Sequence, residues 1–168
     1  MGEGTKKLAR LALLTALGIA LLYLASLLPA GKASLVAVAG FLSAAALMLY
    51  SPLWAFAVYG MTALLALLLL PNKDCAFYYL AFFGLYPILK SYMERLHRPL
   101  LSWCLKMLVY AAAFVAWWLL AKGLFLGDAL TFRWYLLAPL GAAAFAVYDI
   151  CLSFLITIYI ERISGYIK

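Results

Sequence analysis

Three long runs in this chain leave no polar face for water to meet. Leu8 to Leu28, Leu35 to Tyr50 and Leu53 to Leu70 are apolar all round. A helix of that kind is buried in lipid or among other helices, because in water some of its apolar surface would always be wet. Strands of a transmembrane barrel alternate polar and apolar residues, and these runs do not. Charged residues make up 11% of the chain and hydrophobic ones 70%, where a soluble domain carries about a quarter charged residues. The sequence therefore predicts an all-α, polytopic membrane protein and excludes most soluble enzymes.

The 168 residues leave room for about six crossings of roughly 20 residues joined by short loops. The expected spans are 8–28, 35–50, 53–70, 75–92, 100–125 and 134–160, in one integral-membrane helical domain covering 1–168. Pro29 and Gly31 break the chain after the first span. Ser51 and Pro52 turn it between the second and third, and Pro71 to Asp74 caps the third. Pro99 opens the fifth span and Gly127-Asp128 closes it. The start, with Lys6, Lys7 and Arg10 before an apolar stretch, has the look of a signal peptide. The apolar part runs on to Leu28 and further spans follow, so the expectation is a retained first helix.

The net charge of +7 needs no nucleic acid to explain it, since positive residues flank membrane spans on the cytoplasmic side. With the N-terminus cytoplasmic, that side holds Lys6, Lys7, Arg10, Lys90, Arg95, Arg98, Arg162 and Lys168. The other side holds Lys32, Lys73, Lys122 and Arg133, and Lys106 falls within the fifth span. Both termini are therefore expected in the cytoplasm. Tyr50, Trp54, Tyr92, Trp103, Trp134, Tyr135 and Tyr166 near the span ends suit interfacial belts. Cys75, Cys104 and Cys151 are odd in number and widely spaced, which is neither a disulfide framework nor a zinc site; they read as small core residues.

Asp149 is the costliest residue in the sequence. It stands about eleven residues from the end of the last span, roughly 16 Å deep at 1.5 Å per residue. A carboxylate there must pair, protonate or face a wet cavity. Lys106, about six residues into the antiparallel fifth span, is the partner that depth suggests. The readings that follow are a ligand or proton site, a structural Asp–Lys bridge, or an Asp bonded to Tyr and Ser neighbours.

The first span carries Ala12, Ala16 and Ala20 at every fourth residue, with Gly18 beside them. Such a stripe lets helices approach closely in lipid. It serves either a partner membrane protein or internal packing. Lys32, Asn72, Lys73 and Asp74 lie in outward loops, followed by Phe77, Tyr78 and Tyr79. Trp117, Trp118 and Lys122 stand in the outer part of the fifth span. Aromatic walls with a few hydrogen-bonding groups would suit a small flat ligand, and equally an aromatic belt with ordinary turn residues.

Pro87 late in the fourth span bends that helix. The stretch Ser91 to Arg98 continues it amphipathically along the interface, with Glu94 and Arg98 spaced to pair and His97 a surface histidine. No Walker loop, HExxH pair, GxSxG elbow or CxxC pair occurs, so neither catalysis, a metal nor a cofactor is expected.

The run Lys7-Leu8-Ala9-Arg10-Leu11-Ala12-Leu13-Leu14-Thr15-Ala16-Leu17, the span ending Leu27-Leu28-Pro29 and the small-residue second span carry a resemblance. The chain resembles the S components, the substrate-binding membrane subunits, of energy-coupling factor (ECF) vitamin transporters. The resemblance implies a six-helix protein of the cytoplasmic membrane that captures a vitamin-like micronutrient near its outer face. It also implies docking through an alanine pattern on helix one to a transmembrane coupling subunit driven by two cytoplasmic ATPases. Ala12, Ala16 and Ala20 match that pattern. Ligand contacts would then fall at Lys32, Asn72, Tyr79, Trp118 and Asp149. Two other classes stay open: a scaffold in cell-envelope or cell-shape assembly, and a small stand-alone permease.

Overall fold

A computed structural model describes residues 2–29, 31–94, 99–121 and 134–162. Among the described residues the chain is helical, with no strand. It divides into two compact units, Met1–Pro99 and Leu100–Lys168. Four helical stretches are long and apolar enough to cross a membrane: Glu3–Leu27, Lys32–Leu49, Pro52–Leu69 and Pro139–Ile158. That is the signature of a membrane protein.

In the first unit the helix boundaries follow the prolines. Helix α1, Glu3–Leu27, starts five residues before the expected Leu8. Its basic residues Lys6, Lys7 and Arg10 are good helix formers, and the helix begins just after Gly2, which is extended. It ends where Leu28 turns extended (φ −79°, ψ 137°), as a residue preceding proline prefers. Gly31 then takes a left-handed φ of 78°, cheap only without a Cβ, and swings the chain into α2, Lys32–Leu49. Ser51 is extended before Pro52, which opens α3, Pro52–Leu69, at a first-turn position where its missing N–H costs nothing. The Lys73 ammonium donates to the carbonyls of Leu67 (2.6 Å) and Leu70 (2.9 Å) and so caps the end of α3.

The expected fourth span, 75–92, is not one regular helix. It divides into α4 (Lys73–Tyr78), a π-helical segment (Tyr79–Phe83), a turn at 84–85 and α5 (Tyr86–Glu94). Pro87 lacks a donor and crowds the preceding turn, so the α ladder cannot pass through unbroken. The Gly84 N–H bonds the Tyr79 carbonyl (2.8 Å), five residues back, which leaves the Leu80 carbonyl without its usual partner. The Tyr59 hydroxyl from α3 donates to that carbonyl at 2.8 Å. The Ile88 N–H turns to Leu85 instead, and the freed Gly84 carbonyl lies 3.0 Å from the Ser43 hydroxyl of α2, whose one proton it shares with the Gly40 carbonyl at 2.7 Å. Irregular backbone inside an apolar bundle survives because neighbouring helices satisfy it.

The broken segment still runs the length of this unit. One core cluster joins Leu22 and Ala25 near the end of α1, Val36 and Ala39 near the start of α2, and Ala66 and Leu70 with Cys75, Ala76 and Tyr79. The other joins Leu11 near the start of α1, Ala46 near the end of α2, Ala55 near the start of α3, and Ile88. Residues 75–79 belong to one end and Ile88 to the other. Gly18 lets α1 approach α3; a Cβ there would lie 3.1 Å from the Thr62 methyl.

The second unit holds α6, Pro99–Ala121, and α7, Trp134–Arg162, the latter with Pro139 inside it. Tyr110 stacks on Phe145 at 5.4 Å, and four residues towards the start of α6 Lys106 meets Asp149, four residues further along α7. The two helices are therefore antiparallel. Gly141 makes room for the Tyr110 hydroxyl, which would stand 2.5 Å from a Cβ there. The expected end of the fifth span at 125, Gly127-Asp128, Lys122, Arg133, Arg95, His97 and Arg98 lie outside the described residues, as do Tyr166 and Lys168. Cys75 is buried, whereas Cys104 and Cys151 are exposed on the outside of their helices rather than in the core.

Candidate functional site

The α1 sequence places different residue types on different sides of the helix. Leu11, Gly18, Leu22 and Ala25 are buried in the bundle. Ala12, Ala16 and Ala20 are exposed, so the stripe is not part of the core of the first unit. Residues four apart stack on one face of a helix, which is why these three share a side. Between α1 and α3 lies a groove of about 430 Å³. Small Ala12, Ala16 and Ala57 line it, with Leu8, Trp54 and Met61 among the larger residues of its walls. The Thr15 hydroxyl in its lining donates to the Leu11 carbonyl (3.0 Å), which leaves the groove apolar in character. At its rim the Lys7 ammonium stands 4.2 Å from the Trp54 ring centre and 5.0 Å from that of Tyr50.

Of the residues expected to contact a ligand, Lys32, Asn72 and Tyr79 lie toward one end of the first unit. Lys32 is half-buried as the first residue of α2. Asn72 is exposed, and its amide donates to the Ser26 carbonyl (3.0 Å), tying the α3–α4 turn to the end of α1. Tyr79 is 1% exposed and packs against the Tyr59 ring at 5.9 Å, a core position rather than the wall of an open cup. Trp118 sits in α6, and its side chain lies outside the described residues.

Asp149 lies in the second unit, where its carboxylate accepts from the Lys106 ammonium at 2.8 Å with both side chains under one tenth exposed. The partner suggested by depth is the partner found. The Lys106 ammonium also lies 5.7 Å from the Trp103 ring centre. Removing both charges from water is costly, and close pairing is what makes the burial tolerable.

Three features were not legible from residue types. Lys90, counted as a cytoplasmic charge, is fully buried. Ser43 and Tyr59 gave no signal of their own: they serve the Gly84 and Leu80 carbonyls, whereas the carbonyl that Pro87 itself deprives of a donor is that of Phe83, four residues back. The cation–π seat of Lys7 needs α1 beside the α2–α3 turn, a tertiary fact. Among the described residues no group of three His, Cys, Asp or Glu side chains converges as for a metal ion. Comparison with protein-family models, with curated proteins and with solved structures finds no match to this chain.

Proposed function

We propose that this chain is the substrate-binding membrane subunit of an ECF-type transporter. In this reading it captures a vitamin-like micronutrient outside the cytoplasmic membrane and docks on a transmembrane coupling subunit worked by two cytoplasmic ATPases. The chain crosses six times with both termini cytoplasmic, and residues 73–94 count as one crossing. The charge bias supports that orientation, at seven against four once buried Lys90 is removed from the eight.

One observation carries the reading: Ala12, Ala16 and Ala20 face outward from α1 beside an apolar groove. A small-residue stripe open to the surroundings favours close helix approach by another membrane protein. The test is co-purification of the tagged chain with the coupling subunit and its ATPases. Ala16→Trp should abolish that contact while leaving thermal unfolding unchanged, because Ala16 is exposed. A wild-type chain that never captures such a subunit overturns the docking role.

A second reading, a scaffold in cell-envelope assembly, is favoured by Asn72 and Lys73. Both donate to backbone carbonyls instead of converging on an open pocket. Mass spectrometry of the denatured, gently purified protein separates the two. A retained vitamin-sized compound supports capture, and consistently empty samples support the scaffold.

A further inference from the structure

The groove between α1 and α3 has a measurable length. Its lining on α1 runs from Leu8 to Ile19, an offset of eleven residues and so about 16 Å at the helical rise. One leaflet of a bilayer's hydrocarbon core is half of about 30 Å. The groove therefore matches one acyl chain from headgroup level to midplane. Its walls are apolar, and the small side chains of Ala12, Ala16 and Ala57 give it depth.

The end of the groove near Leu8 is where the charge lies. The Lys7 ammonium is held over Trp54, itself a wall of the groove, and beside Tyr50. Trp, Tyr and Lys together are the residues expected at headgroup level. Lys6 and Arg10, both exposed on other sides of the same two turns, add positive potential, and the first turn of α1 holds one carboxylate, Glu3. A cation fixed at the mouth of a leaflet-long apolar groove fits a molecule with a phosphate at one end and a hydrocarbon chain at the other.

We infer that the α1–α3 groove binds an anionic phospholipid, with its phosphate at Lys7 and one acyl chain along Ala12, Ala16 and Ala57. This goes beyond the transporter reading and does not depend on it. A partner docked on the alanine stripe would expel the chain, so the lipid belongs to the uncomplexed protein.

The test is native mass spectrometry of the full chain, delipidated and then titrated with phosphatidylglycerol or phosphatidylcholine of identical acyl chains. Wild-type protein should retain phosphatidylglycerol about fivefold better, the effect of one well-placed cation at an anionic headgroup. Lys7→Gln should abolish the difference and Lys7→Arg should keep it. Ala57→Leu, which fills the groove from α3 without touching the alanine stripe, should lower retention of both lipids. Excess glycerol phosphate should not displace the lipid. Equal retention of the two lipids by wild type, preference surviving in Lys7→Gln, retention unchanged by Ala57→Leu, or displacement by glycerol phosphate would each overturn the site. Circular dichroism of each variant confirms that the compared proteins are equally helical.

Discussion

Breaking the Lys106–Asp149 pair from one side only should be far worse than removing it whole. The ammonium and carboxylate are 2.8 Å apart, with side chains 9% and 7% exposed. Lys106→Met removes the ammonium that the Asp149 carboxylate meets at 2.8 Å, and breaking a buried pair from one side costs about 3–5 kcal/mol. Hydrogen bonds within membranes are weaker than that, about 1–2 kcal/mol at the upper end, because the unfolded chain finds partners too. The pair combines both effects, so the single substitution should cost about 3 kcal/mol. Asp149→Leu should cost a similar amount by removing the carboxylate that the Lys106 ammonium meets. The double variant removes both charges and fills the space with hydrocarbon, while Tyr110 and Phe145 still stack one turn away. It should therefore lie within about 1 kcal/mol of wild type, since replacing a buried pair with apolar residues is often neutral. The assay is reversible unfolding in mixed micelles, followed by circular dichroism, for all four corners of the cycle. Losses that simply add in the double variant, or singles within about 0.5 kcal/mol of wild type, would show that the bridge does not stabilise the α6–α7 contact.

Two further outcomes concern the broken segment. Gly84→Ala should destabilise by about 1–3 kcal/mol, because a Cβ there would come within 2.7 Å of the Tyr59 and Tyr79 rings; the same unfolding assay reads it. Tyr59→Phe removes the donor to the Leu80 carbonyl and leaves that polar group unserved at the apolar surface of the unit. It should cost about 1–3 kcal/mol, and hydrogen exchange at 79–85 should quicken.

The class of fold was legible because lipid is a simple solvent: unbroken apolar runs and the prolines between them located three helices of the first unit to within a few residues. Helix ends at Leu27 and Leu69 follow from Pro29 and Pro71 through the backbone alone. The 75–92 run was harder. Composition marks it as apolar, but where the α ladder gives way along 79–85 depends on Tyr59 and Ser43 arriving from other helices to serve the Leu80 and Gly84 carbonyls. Asp149 and Lys106 were paired from depth because charges deep in apolar spans have few partners to choose from. The ligand candidates fared differently. Asn72 and Lys73 look available in sequence, yet their nearest acceptors are carbonyls that helix ends always leave open. The outward face of Ala12, Ala16 and Ala20 also needed tertiary structure, since an alanine suits a tight contact and a lipid-facing groove equally well.

The most direct test of the account is the path of residues 73–94 across the bilayer. Single cysteines at Lys32, Ser51, Asn72 and Ser91, in a chain whose Cys75, Cys104 and Cys151 are replaced by alanine, can be labelled in intact cells with a membrane-impermeant maleimide. The account predicts labelling at Lys32→Cys and Asn72→Cys from outside, and at Ser51→Cys and Ser91→Cys only after the membrane is opened. Labelling of Ser91→Cys together with Asn72→Cys would mean that the segment turns back, and the six-crossing topology would be wrong.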